Sequence, residues 1–210
     1  MYLNIDFYLD RFYNNNEAKV GKTMKKVLLL GDSIRLFGYG TIVPELLGED
    51  YTVWQSTDNN RFAKYTLYNL ADYFKEMPDP DIIHWNNGLW DSCVKHEEDG
   101  PFTPINEYVK DMLKILEKLK KRTNNIIFVK TTHCRPGYNF NGINPDRNGM
   151  VDKYNAAIVP ILEKEGVIIH DLNPLIDNDD ELICEDNILL SQKGIQVCGR
   201  QVAQMIKSIK

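Results

Sequence analysis

The chain has 210 residues, of which 43% are hydrophobic and 26% charged, as in a soluble globular domain with a substantial core. Its formal net charge of -5 gives no electrostatic reason to expect nucleic acid or an anionic membrane as a partner. No apolar segment approaches the roughly 20 residues that span a bilayer. We therefore expect no nucleic-acid partner and no membrane partner.

Residues 1–23 form an N-terminal extension in this interpretation, because the first strong strand pattern begins only after Met24. The extension lacks the basic start and apolar block of a secretory signal, and the four cysteines show no C-x-x-C spacing. We expect a cytoplasmic protein whose residues 24–210 form a single domain. The aromatic residues of the extension would pack either on that domain or on a partner subunit of a homo-oligomer, and the sequence leaves both open.

Five short apolar runs predict strands that are buried on both faces, because they are nearly continuously apolar and are bounded by turn residues. These runs are Val27–Gly31, Tyr51–Gln55, Asp81–Asn86, Asn125–Thr131 and Gly166–Asp171.

Longer segments with apolar residues at three- and four-residue steps predict helices between these strands. They are Asn60–Phe74, Pro104–Arg122, Val151–Glu165 and a last helix with Ser191 as its N-cap. This alternation predicts an α/β fold: a single doubly wound, flavodoxin-like, three-layer domain with a five-stranded parallel sheet. Ligands bind at the carboxyl ends of the strands in such sheets, so the residues that follow each strand are the site candidates.

The first predicted strand ends in Gly31-Asp32-Ser33-Ile34. Ser33 would stand at the start of the next helix, where backbone N–H groups can stabilise an oxyanion. A serine or aspartate at this point can equally be a simple helix cap, so both interpretations stay open. A flavin or nucleotide site on the same fold is disfavoured, since the chain has neither G-x-G-x-x-G nor a phosphate-binding G-K-[ST].

Polar residues also follow the second, third and fourth strands. Asn60 is expected in a left-handed turn that aims its N–H at the space beside the first strand, although a plain polar loop explains this stretch equally well. Asn86, Asn87 and Gly88 favour a site, because buried amides are costly unless their hydrogen bonds are satisfied. His133 lies at the correct edge to face a site, but a lone histidine there can also be structural.

Two segments near the end of the chain are rich in polar residues. Asp186 to Gly194 reads DNILLSQKG and immediately precedes the last helix. Asp177 to Glu181 only superficially resembles a calcium loop, since the full D-x-[DN]-x-[DN]-G pattern is absent. We interpret this acidic run as a solvated turn and expect no metal.

Three of these stretches, in this order, resemble the conserved blocks of the SGNH hydrolases, the GDSL-type lipases and esterases. Gly31–Ile34 looks like the first block, Gly88–Asp91 like the G-x-N-D block and Asp186–Gly194 like the closing D-x-x-H-L-[ST]-x-x-G block. The resemblance spans roughly residues 26–209. The stretch Asn59–Phe62, together with His84–Gly88, also looks like a bacterial subgroup of the family in which NNGL replaces the commoner third block.

The resemblance implies a Ser-His-Asp triad with Ser33 as nucleophile and Asp186 as the residue that orients the histidine. Leu189 occupies the histidine position, however, and leucine cannot accept a proton. Three explanations stay open: the chain is an inactivated or non-catalytic member, His133 has taken over as the base, or the closing block folds differently from this alignment.

The resemblance also implies an oxyanion hole that contains the Ser33 N–H. Asn60 stands where the family has a glycine and would contribute its own N–H. Trp90 stands at the position of the family's asparagine, so Asn86 or Asn87 would have to supply the side-chain amide.

The function implied by this resemblance is hydrolysis of a small acyl ester, of acetyl type, in a carbohydrate or a similar small molecule. No cofactor is implied. Because Leu189 replaces the histidine, the activity is expected to be impaired. The alternative is a non-catalytic ligand-binding or regulatory protein on the same scaffold.

Overall fold

The computed structural model describes residues 23–138 and 146–210. Its sheet has five parallel strands in the order β2-β1-β3-β4-β5. The strands are β1 (Lys25–Leu30), β2 (Tyr51–Gln55), β3 (Ile82–Trp85), β4 (Ile126–Val129) and β5 (Ile168–His170). The predicted doubly wound α/β fold with a five-stranded parallel sheet is therefore confirmed.

The α-helices of the described residues follow the strands along the chain. They are α1 (Val43–Leu47), α2 (Ala63–Glu76), α3 (Ile105–Lys120), α4 (Arg147–Lys164), α5 (Asn173–Ile176) and α6 (Gln192–Ser208). The four long helices match the four predicted ones to within a few residues at each end. Ser191 caps α6 as predicted, since its side chain accepts a hydrogen bond from the Gly194 N–H at 3.1 Å.

Two apolar layers cover the sheet, because successive residues of a strand point to opposite faces. On β1, Val27 and Leu29 belong to a core on the side of α1 and α6, whereas Leu28 and Leu30 belong to a core on the side of α2 and α3. Every residue of β3 and β4 is buried. The middle of the sheet is thus closed to solvent, and the carboxyl ends of the strands remain for a site.

The chain does not enter a regular helix directly after β1. It forms a π-helical turn at Ile34–Gly38 and a 3-10 turn at Tyr39–Thr41, and only then reaches α1. The buried Arg35 side chain donates hydrogen bonds to the carbonyl oxygens of Gly31 at 2.9 Å and Ser56 at 2.6 Å. This arrangement ties the turn to the end of β2 and gives it a geometry set by distant residues.

The predicted N-terminal extension lies almost wholly outside the described residues, which begin at Thr23. No helix in the described ranges is long and apolar enough to cross a membrane.

Candidate active site

A cavity of about 480 Å³ lies at the carboxyl edge of the sheet. It brings together the ends of β1 and β2, the loop after β3, the start of α4 and the segment before α6. Its lining residues are Ser33, Phe37, Asn59, Leu89, Trp90, Cys93, Lys95, Phe102, Arg147, Asp186, Ile188 and Leu189. The two stretches predicted to supply the nucleophile and its aspartate therefore meet at one cavity.

Ser33 occupies the N-cap position of the turn at Ile34–Gly38, but its side chain makes no capping hydrogen bond. Instead, Asp32 Oδ1 accepts a hydrogen bond from the Ile34 N–H at 2.9 Å. Ser33 is half-buried, and among the described residues no partner forms a hydrogen bond with its Oγ. Ser33 therefore lines the cavity, and no side chain of the described residues is hydrogen-bonded to its hydroxyl as a base.

Asp186 lies in a tight hairpin closed by a bridge between Ile183 and Leu190. Its Oδ1 accepts hydrogen bonds from the N–H groups of Ile188 at 2.9 Å and Leu189 at 2.8 Å. Partial burial raises the pKa of Asp186, but these bonds and one from the Cys184 thiol outweigh it and lower the pKa below its ordinary value. The carboxylate is thus ionised and held at the cavity wall.

Leu189 lines the same cavity as Ser33 and Asp186. The N–H of Leu189 donates to Asp186 Oδ1, and its carbonyl accepts from the Cys184 N–H at 2.8 Å. The hairpin therefore carries an apolar side chain at the point where the alignment puts the histidine. This observation gives no support to the alternative in which the closing block folds away from the first block.

The structure does not bring His133 to the cavity. Its Nδ1 pairs with Asp177 at 2.8 Å and its Nε2 pairs with Asp152 at 3.0 Å, so both ring nitrogens are occupied by carboxylates. Burial lowers the pKa of His133, but the two carboxylates outweigh it and raise the pKa above the ordinary value. His133 therefore links α4 to the end of α5 through these two carboxylates, and has no hydrogen bond with Ser33 Oγ.

Asn60 is buried away from the cavity, and its predicted left-handed conformation is wrong. The left-handed residue is its neighbour Arg61, with a φ of 45°. The Asn60 N–H donates to the Gly31 carbonyl at 3.3 Å, and its Oδ1 accepts from the Gly31 N–H and from Arg35 Nη2. Because its N–H and side chain are already paired, Asn60 joins the ends of β1 and β2 instead of reaching an oxyanion.

Asn86 and Asn87 are also buried and do not line the cavity. Asn86 Oδ1 accepts from the Tyr39 hydroxyl at 3.0 Å. Asn87 Oδ1 accepts from Trp85 Nε1 at 2.8 Å, and its Nδ2 donates to the Arg61 carbonyl at 3.0 Å. Their amides hold the loop after β3, and these hydrogen bonds offset the cost of burying the polar groups.

Gly88 shapes this loop without contacting the cavity. Its φ is 139°, and a Cβ at this position would meet Thr131 Oγ1 at 2.2 Å. A side chain would therefore clash with the end of β4 and strain the backbone. The predicted binding role of Gly88 has no counterpart among the cavity's lining residues.

Several lining residues are not among the residues predicted from the sequence. Asn59 supplies an amide at the cavity: its Oδ1 accepts from the Arg61 N–H at 2.9 Å, and its Nδ2 has no acceptor in the described part of the chain. Arg147 supplies a buried cation. Asn59 is the neighbour of the predicted residue Asn60, and the sequence does not show which of the two asparagines faces the cavity. Arg147 begins a helix and follows no strand end, so no local signal marks it.

Two buried carboxyl groups stand behind the cavity wall. Burial raises the pKa of Asp32, and raises that of Asp91 to about 7. Asp91 accepts the Ala63 N–H at 3.0 Å and so caps the start of α2. Both groups therefore position elements around the cavity without lining it.

Within residues 23–138 and 146–210, no group of three or more His, Cys, Asp or Glu side chains is arranged to hold a metal ion.

Comparison with known proteins is consistent with this geometry. No protein-family model matches the chain. The human isoamyl acetate-hydrolyzing esterase 1 homolog is 26% identical over 188 residues, which cover 80% of this chain and 76% of that protein.

Solved structures share the fold at lower sequence identity. A GDSL-like lipase from Bacteroides thetaiotaomicron is 13% identical with a TM-score of 0.69, covering 95% of this chain and 98% of its own. An acetylxylan esterase from Geobacillus stearothermophilus is 15% identical with a TM-score of 0.68, covering 87% and 94%.

The fold and the cavity define a doubly wound α/β protein with a serine at the carboxyl end of its first strand. The chain is thus similar to an esterase homologue over most of its length and shares its fold with a GDSL-like lipase and an acetylxylan esterase, in agreement with the resemblance of its motifs to the SGNH hydrolases.

Proposed function

We propose that the chain is a serine ester hydrolase for small acyl esters of the acetyl type, including those of carbohydrates, and that its turnover is impaired by Leu189. The observation that carries the proposal is the shared cavity, which has Ser33 and Asp186 in its wall and Ser33 Oγ unpaired. The acetylxylan esterase fold neighbour and the isoamyl acetate-hydrolyzing homologue support an acyl ester as substrate.

In this proposal Ser33 Oγ attacks the ester carbonyl, the alcohol leaves, and water releases the acid from the acyl-serine. The serine proton passes to solvent or to the leaving alkoxide, because Leu189 cannot accept it. The Ser33 N–H and the Asn59 amide, which faces the same cavity, stabilise the oxyanion. Asn59 replaces Asn60, Asn86 and Asn87 in this role because the amides of those three are engaged elsewhere.

A second candidate is a non-catalytic ligand-binding protein on the same scaffold. It is favoured by the apolar side chain of Leu189 and by the absence of a hydrogen bond to Ser33 Oγ in the described part of the chain. Serine without an adjacent base is a weak nucleophile, and loss of one triad member costs several orders of magnitude in rate.

Hydrolysis of 4-nitrophenyl acetate by the chain and by its Ser33→Ala variant distinguishes the two candidates. We expect a slow rate that falls to the uncatalysed background in Ser33→Ala. His133→Ala is the matched control, since His133 makes no contact with the cavity, and its rate should equal that of the unmodified chain. A rate that Ser33→Ala leaves unchanged would favour the binding protein.

We also propose a cytoplasmic, bacterial protein whose residues 1–23 extend a domain formed by 24–210. The extension would mediate homo-oligomer formation. Sedimentation of the full chain, compared with that of a chain beginning at Met24, tests this proposal. If both chains have the same number of subunits, the extension has no role in forming the oligomer.

A further inference from the structure

Arg147 is a buried cation in the wall of the cavity. It begins α4, and only 3% of its surface is exposed. Its Nη1 donates to Ser92 Oγ at 2.9 Å and its Nη2 donates to the Leu89 carbonyl. These acceptors are neutral, so they fix the guanidinium without neutralising it.

No carboxylate forms an ion pair with Arg147 in the described ranges. The other buried arginine, Arg35, donates to five oxygen acceptors, one at the end of β1 and four in the segment 55–60. Removal of a cation from water is expensive unless an anion or a full set of acceptors compensates it. Arg147 has fewer acceptors and lies beside open space.

The guanidinium of Arg147 is nevertheless part of the cavity wall. It also forms a hydrogen bond with the Cys134 thiol, which is neutral as well because burial raises its pKa to about 11. An anion that enters the cavity would therefore meet a positive charge that no carboxylate of the described ranges pairs with.

The exposed surface of the wall is largely apolar and aromatic, and its one carboxylate among the described residues, that of Asp186, is engaged by the N–H groups of its own hairpin. Phe37, Trp90 and Phe102 are exposed by 58%, 39% and 57%, and all three line the cavity. Phe62 stacks on Phe102 at 4.5 Å between ring centroids and meets Trp90 edge-on at 5.9 Å. Large exposed apolar side chains grouped at one cavity mark a binding site for an apolar ligand.

We propose that the cavity binds a small organic carboxylate with an apolar or aromatic body. The carboxylate accepts hydrogen bonds from Arg147, and the body lies against Phe37, Trp90 and Phe102. Arginine suits this contact because its planar donors match the oxygens of a carboxylate. The inference concerns binding, so it holds whether or not Ser33 turns over an ester.

The test uses the full chain with Ser33→Ala, which removes turnover, and two probes of equal shape, 3-phenylpropanoate and 3-phenylpropanamide. We expect calorimetry to give a Kd for the carboxylate about tenfold or more below that for the amide, the usual advantage of a charge-assisted hydrogen bond. Equal affinity for the two probes, or binding of neither, would overturn the proposal without bearing on ester hydrolysis.

Variants then assign the contact to Arg147. Arg147→Gln should remove the preference for the carboxylate, whereas Lys95→Gln should keep it, because Lys95 lines the cavity but is exposed to solvent. Ser92→Ala removes one hydrogen bond to the guanidinium and leaves the cation in place, so it should also keep the preference. Loss of the preference in Lys95→Gln, or its retention in a folded Arg147→Gln, would overturn the assignment.

Discussion

Two adjacent asparagines after β2 have different surroundings. Asn60 is fully buried, and its side chain meets Gly31, Arg35 and the Tyr73 hydroxyl. Asn59 is half-buried and lines the cavity. At the scale of the residue, Asn59 is a candidate for chemistry and Asn60 is a structural link.

Replacement of these two residues should therefore have opposite consequences. Asn60→Ala leaves the buried Gly31 N–H without its acceptor, removes one of the acceptors of Arg35, and should lower the free energy of unfolding by about 2–4 kcal/mol in urea titrations. Asn59→Ala should change it by less than about 1 kcal/mol. In a Leu189→His background, Asn59→Ala should reduce ester turnover by on the order of 100-fold, the effect of losing one oxyanion donor.

An equal loss of stability in both asparagine variants would contradict this division. So would a full ester rate in Asn59→Ala.

Prediction from the sequence succeeded for elements whose signal is local. The buried strands are continuous apolar runs, and α3 carries its apolar residues at helical spacing, so both could be recognised without tertiary information. Ser191 was recognised as a cap for the same reason. The superfamily resemblance likewise placed Ser33 and Asp186 on segments that the structure brings to one cavity.

Prediction failed where partners far apart in the chain decide the local structure. The irregular turn after β1 depends on hydrogen bonds from Arg35 to Ser56 and Asp58. The sequence also does not predict whether an amide side chain faces the cavity or the core. Asn87, for example, faces the core because its Oδ1 accepts a hydrogen bond from Trp85. Arg147 could not be predicted as a cavity residue, because nothing near it in the sequence indicates its contact with the loop after β3.

At the scale of the whole molecule, two histidines are buried on one face of the sheet. His84 on β3 and His170 on β5 have ring centroids 6.0 Å apart, and none of their ring nitrogens has a hydrogen-bond partner in the described part of the chain. Burial lowers the pKa of His84 well below its ordinary value and that of His170 to about 4. Both rings are therefore neutral in the folded protein.

The unfolded chain binds protons at these histidines near pH 6.5, and the folded chain does not. Their contribution to stability is therefore fully present above pH 6.5 and is lost as the pH falls towards the folded pKa. For His170 this loss amounts to about 3 kcal/mol by pH 4.

Denaturant titrations between pH 7 and pH 4 should show a shallower loss of stability in His170→Leu than in the unmodified chain. When the two slopes of unfolding free energy against pH are compared, the contribution of the carboxylates cancels, because they titrate in both proteins. Parallel curves would contradict the buried, neutral state of His170.

The central claim is that Ser33 is placed to react and that Leu189 deprives it of its base. The most direct test is the rate of 4-nitrophenyl acetate hydrolysis by Leu189→His, compared with the unmodified chain and with Leu189→His combined with Ser33→Ala. A histidine at this position, beside Asp186, should raise the rate by at least about 100-fold, and Ser33→Ala should abolish that gain. A folded Leu189→His protein with no gain, or a gain that survives Ser33→Ala, would contradict the claim.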